Sequence, residues 1–129
     1  MEKLKSIAVN IAVMALVSVV LIWGNTLYRQ HVQFDKGEKG LKAGDFPAAV
    51  AGYESAIHMY TPGSPTVDRS AQRLWEIGQM TEQSGDIARA LIAYRALRSS
   101  FYAVAWLHAP GQDWIKRCDL RIAALVKMQ

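Results

Sequence analysis

Few residues in this chain have the types and spacing that catalysis or ligation needs. There is a single cysteine, Cys118, and the three histidines, His31, His58 and His108, stand far apart. Zinc takes clustered ligands at short recurring intervals, and no such cluster occurs, so no metal site is expected. The glycines of GEKGLKAGD, residues 37–45, invite a phosphate-loop reading. They lack the G-x-x-x-x-G-K-S/T pattern, however, and fall between helical stretches rather than after a strand. The nucleophile elbow, H-E-x-x-H and C-x-x-C patterns are also absent. The chain reads as non-enzymatic, with no cofactor. A lone cysteine makes no internal disulfide, and Cys118 reads as a small apolar residue on a helix.

What remains is binding, and the elements that would position a binding surface come from a duplication. FDKGEKGLKAGDFPAAVAGYESAI, residues 34–57, aligns without gaps with WEIGQMTEQSGDIARALIAYRALR, residues 75–98, at a constant offset of 41. The matches are Gly37 with Gly78, Gly44-Asp45 with Gly85-Asp86, Ala49 with Ala90, Tyr53 with Tyr94, and aromatic Phe34 with Trp75. Gly44 and Gly85 suit the left-handed residue that ends a helix. Asp45 and Asp86 follow as N-caps of the next helix, and Pro47 falls in its first turn. Ala49 and Ala90 are small where two helices would cross, with Tyr53 and Tyr94 one turn later on the same face. Each unit is therefore predicted to be an antiparallel helix pair with a tight turn.

These residues resemble the tetratricopeptide-repeat (TPR) family. Ile77-Gly78 and Ala90-x3-Tyr94 match its signature, as do Gly37 and Ala49-x3-Tyr53, and Leu74 takes the place of the family's Trp. Lys36, Gly40, Thr81 and Tyr102 depart from it, and TPGSPTVDR lengthens the connection between units. The resemblance covers about residues 31–100. It implies that the first helix of each pair lines a concave groove for partner peptides or helices. Carried over, the groove-facing positions are Phe34, Glu38 and Leu41, then Trp75, Gln79 and Glu82. Aromatics and acids at these places imply an apolar or amphipathic helix as the ligand. The alternative is that Phe34 and Trp75 simply pack against neighbouring helices.

Ahead of the repeats, Ile7 to Trp23 reads IAVNIAVMALVSVVLIW, seventeen residues without a charge. Extended by Ser6 and by Gly24 to Tyr28, the segment reaches the ~20 residues that cross a bilayer. Trp23 and Tyr28 stand where an interfacial aromatic belt would sit. Lys3 and Lys5 would suit a signal peptide, but the apolar run is long and no A-x-A-like cleavage site follows it. An uncleaved transmembrane anchor over residues 1–29 is expected, in contact with lipid through residues 6–28. The short basic N-terminus is expected to stay in the cytoplasm, placing the rest on the periplasmic side of an inner (cytoplasmic) membrane. Asn10 is costly in hydrocarbon unless it bonds to another helix or lies near the headgroups. Only Gly24 interrupts the helical run to Phe34, so the anchor is expected to continue into the first repeat helix.

The net charge of +4 is uneven. Residues 43–88 carry six acids against two arginines, and residues 89–129 carry seven basic residues against two acids. The basic end faces lipid or an acidic partner, or is neutralised within the fold. It lacks the aromatic-basic platform of a nucleic-acid binder. SSFYAVAWLHAP, residues 99–110, is expected to extend a helix and pack in the core, with a partner-binding patch as the alternative. After Pro110-Gly111, Asp113 is expected to cap a terminal helix over residues 113–127 that covers the last apolar face.

The expected fold is all-α: the transmembrane helix, then a domain over residues 30–129 with two TPR-like helix pairs at about 31–60 and 67–100, and the capping helix. The expected function is a membrane-anchored protein-interaction module, an accessory or scaffold subunit of a cell-envelope membrane complex. The alternative is a structural homo-oligomer without a dedicated groove.

Overall fold

A computed structural model describes residues 1–128, and among them all regular structure is helical. Five helices follow in order: α1, Glu2–Lys42; α2, Phe46–His58; α3, Pro65–Gln83; α4, Ile87–Ala103; and α5, Gln112–Val126.

The first helix runs 41 residues without a break, about 60 Å at 1.5 Å per residue. Gly24 does not interrupt it, and nothing packs near that glycine. Residues 1–25 are exposed throughout, burial begins at Thr26 and Leu27, and Gln30 is the first buried residue. The apolar half has a mean hydropathy of 2.4 over its best window and buries none of it. One helix near the N-terminus is thus long and apolar enough to cross a membrane.

Both hairpin turns use the same chemistry. Gly44 and Gly85 adopt φ of +71° and +83°, a region that is strained for side chains with a Cβ. The amide of Asp45 donates back to the Gly40 carbonyl at 2.8 Å, and that of Asp86 to Thr81 at 2.9 Å. Each closes the last turn of the preceding helix. The side chains of Asp45 and Asp86 then accept from the amides of Ala48 (3.2 Å) and Arg89 (3.1 Å), capping α2 and α4. Turn and cap together reverse the chain within three residues.

The two hairpins are not packed equally. In the first, Gly37, Gly40, Gly52 and Ala49 let the backbones of α1 and α2 come together. A Cβ on Gly52 would lie 2.6 Å from Gly37 Cα and closer still to its amide nitrogen. In the second, Ala93 stands where Gly52 aligns and is fully buried, while the Tyr94 ring lies across Gly78. The sequence departure at Gly40 has its reason here: a Cβ would meet the Ala49 amide nitrogen at 2.7 Å. Tyr53, Ile57, Leu74, Leu91, Tyr94, Leu97 and Phe101 form a common core.

Helices α1, α3 and α5 share one side of the body, in parallel. Arg73 of α3 meets Glu38 of α1, and Trp75 and Glu82 of α3 meet Trp114 and Arg121 of α5. Helices α2 and α4 pack behind them. α5 covers the end of the second pair with Ile115, Cys118 and Leu125.

Two sequence expectations are corrected. Asp113 does not cap α5: the helix begins at Gln112 behind Gly111, whose left-handed φ of +75° makes it the cap residue without a side-chain bond. The 99–110 stretch extends α4 only to Ala103. Phe101 and Pro110 are buried, but Trp106 and Leu107 stand 88% and 86% exposed. The Phe101 ring occupies the space beside Gly111, so the loop between them is pushed outward at its tip.

Candidate functional site

The candidate surface is the side built from α1, α3 and α5. Phe34 is buried at 3% exposure, against the Tyr53 ring and beneath the Arg69 guanidinium at 4.6 Å. Trp75 is half-buried between Tyr94 and Trp114, with ring centroids 5.1 and 6.2 Å away. Leu41 packs partly against the core. Phe34 is occupied within the body, whereas Trp75 and Leu41 each keep one side on an open hollow. Gln79 is exposed, and beside it Met80 is 54% exposed.

The two acids are bound internally as well. Glu38 accepts from the Tyr53 hydroxyl at 2.7 Å and from Arg73 Nε at 2.8 Å, and Arg73 also reaches Glu76 at 3.1 Å. Glu82 accepts from the Tyr94 hydroxyl at 2.8 Å and pairs with Arg121. The equivalent tyrosines thus find acids at non-equivalent places, one on each first helix. Burial, then the bond to Glu38, holds the Tyr53 phenol well above its ordinary value. Burial, then the nearby Cys118, pushes Tyr94 up to about 12. Hydrogen bonding to Glu76 raises the Arg73 guanidinium, against the effect of its burial. Both tyrosines therefore stay neutral donors, and the two tyrosine–acid bonds join the helices of each hairpin.

What stays open is a notch of about 520 Å³ between α3, α4 and α5, lined by residues including Gln79, Glu82, Ile87, Arg121 and Met128. A smaller hollow of about 220 Å³ lies between the Gly44 turn and the C-terminal part of α3, lined by residues including Leu41, Phe46, Ile77 and Met80. Asn10 lies on the bare half of α1, apart from both.

Gln30 was not among the sequence candidates. It is fully buried, donates to the Ala56 and Met59 carbonyls at 3.1 Å each, and accepts from the Ser64 hydroxyl. One side chain thus ties α1 to the end of α2 and the start of α3. Its signal in the sequence is its place one turn before Phe34, on the same helical stripe. The links from Arg73 to Glu38 and from Arg121 to Glu82 had no such signal, because those partners are distant in sequence.

Among the described residues no group of His, Cys, Asp and Glu could hold a metal ion. No protein-family model matches the chain, and no curated protein or solved structure matches it at a significant level.

Proposed function

We propose that the chain is a membrane-anchored, TPR-like protein-interaction module, serving as an accessory or scaffold subunit of a cell-envelope membrane complex. The observation that carries this reading is α1, whose N-terminal half is bare and apolar and whose C-terminal half is a wall of the first hairpin. Bare apolar surface in water costs about 25 cal/mol per Å², so the bare half belongs in lipid. Residues 6–28 then cross the bilayer, with the N-terminus cytoplasmic and the helical body extracytoplasmic. A helix that continues without a loop holds the body at the membrane surface, where it meets partners embedded in or lying on the same membrane.

The partner surface is the notch beside Gln79 and Met80. Apolar Ile87 and Met128, the Gln79 amide and the Glu82–Arg121 pair suit an amphipathic helix, with its apolar side inward. A photo-crosslinking residue at Gln79, in the full chain in native membranes, tests this. Adducts to a second protein are expected, with loss of capture when Met80→Arg is added to the chain that carries the probe. A ladder of self-adducts alone would establish the homo-oligomer instead. Adducts that survive Asn10→Leu would assign capture to the body rather than to the anchor.

A further inference from the structure

From the placement of one exposed loop we infer that the body has a second membrane contact: Trp106 and Leu107, at the tip of the α4–α5 loop, insert into the headgroup region of the bilayer that α1 crosses. The inference rests on the reading of α1 as a transmembrane helix, and the test below separates the two.

Topology puts this loop at the correct end. Gln30 is joined to the end of α2 and to Ser64, so the α2–α3 loop sits where α1 enters the body. α3 runs away from that end and α4 runs back to it. Tyr60, Gly63, Ser64 and Pro65 line one cavity with His108, Ala109 and Pro110, so the α4–α5 loop lies beside the α2–α3 loop. Both loops therefore stand at the anchor end, while the two glycine turns stand at the far end.

The height also fits. A hydrocarbon layer of about 30 Å takes up ~20 residues of α1. Counted from Ser6, its far edge falls near Thr26, where burial in the body begins. Gln30 stands about 6 Å beyond that edge at 1.5 Å per residue. The polar layer on each side of a bilayer is about 5–8 Å thick, so the α2–α3 loop clasped by Gln30, and the α4–α5 loop beside it, lie at headgroup depth.

The chemistry is that of an interface. Tryptophan favours this depth, with its ring in the apolar boundary and its N–H among polar groups. Trp106 and Leu107 have the most exposed large apolar side chains in the body, at 88% and 86% exposure. Tyr102, 50% exposed, stands just before the loop. A single rod leaves the body free to turn about its own axis. A second contact fixes that angle, so the notch beside Gln79 faces one direction along the membrane.

The test uses the full chain with Trp23→Phe, reconstituted into phosphatidylcholine vesicles with and without lipids brominated near the headgroup end of their acyl chains. Adding Trp106→Phe isolates the Trp106 emission by difference. We expect that emission to lose more than half its intensity in the brominated vesicles and to lie to the blue of a water-exposed indole. Equal intensity in both vesicle types, with the protein floating with the vesicles, would overturn the contact while leaving the anchor standing. Failure to float would remove the anchor itself. An unquenched Trp106 in pure lipid, with a photo-probe at Leu107 crosslinking to a protein in native membranes, would reassign the loop to a protein partner.

Discussion

Gly52→Ala sets two effects of known size against each other. Gly to Ala inside a helix gains about 1 kcal/mol from propensity alone. Against this, the new methyl would lie 2.6 Å from Gly37 Cα and 2.9 Å from the Gln33 carbonyl oxygen, where ordinary contact begins at 3.4 Å. The obstructing atoms are backbone on both sides, so no side chain can swing away. α1 and α2 must part by roughly an ångström along the seam. Overpacking of this kind costs about 1–3 kcal/mol, and a rigid obstacle puts the cost at the upper end. The net effect is a loss of about 1–2 kcal/mol. For a body of this size each kcal/mol moves Tm by about 4–8 °C, so a fall of roughly 5–15 °C is expected. Near-ultraviolet circular dichroism of the full chain in mild detergent reports it, since the aromatic core is in the body. Gly24→Ala is the control, with nothing near its Cβ. The aligned residue Ala93 makes Gly52→Ala look conservative in sequence. A Gly52→Ala protein melting at or above wild type would refute the close approach of the two backbones.

Gln30→Leu strips partners from the Ser64 hydroxyl and two carbonyls at the end of α2; at about 1–3 kcal/mol for a buried group left unpaired, chemical denaturation is expected to show a loss of at least that size. Cys118 is fully buried, and burial pushes its thiol up to about 12, so iodoacetamide at pH 8 is expected to modify it only after unfolding. Because its folded pKa lies above the value of about 8.5 in an unfolded chain, stability is expected to fall as pH rises from about 8.5 towards 12. Cys118→Ala should flatten that slope, and an unchanged slope would be evidence against the assignment. Burial raises the Glu54 carboxyl, an effect His58 only partly offsets, so the folded state favours its neutral form. Stability should therefore be lost as pH rises through the carboxylate range, and Glu54→Gln is expected to stabilise the protein at pH 7 more than at pH 4.

The parts of the fold legible in the sequence are those fixed by neighbours in the chain. A glycine that must take positive φ, followed by an aspartate that caps, announces each hairpin turn without any distant information. The apolar run before Arg29 is equally local, and the absence of proline lets α1 continue into the body. The candidate surface was harder to read. The resemblance assigned Phe34 and Trp75 to a groove; Phe34 lies beneath Arg69 of α3, while Trp75 is shared between Trp114 of α5 and the edge of the notch, contacts made across helices. The acids were visible as charges, yet their neutralisation by Arg73 and Arg121 depends on helix packing that no periodicity encodes. The α4–α5 loop misled for a related reason. An aromatic-rich segment reads as core, and only the Phe101–Gly111 contact shows that the core is already filled there.

Whether α1 remains part of the protein and crosses the bilayer is tested most directly by alkaline extraction of native membranes, followed by intact-mass measurement of what the membranes retain. The chain should resist extraction, and its mass should include residues 1–28. Release into the alkaline supernatant, or a mass that begins downstream of Tyr28, would contradict the account.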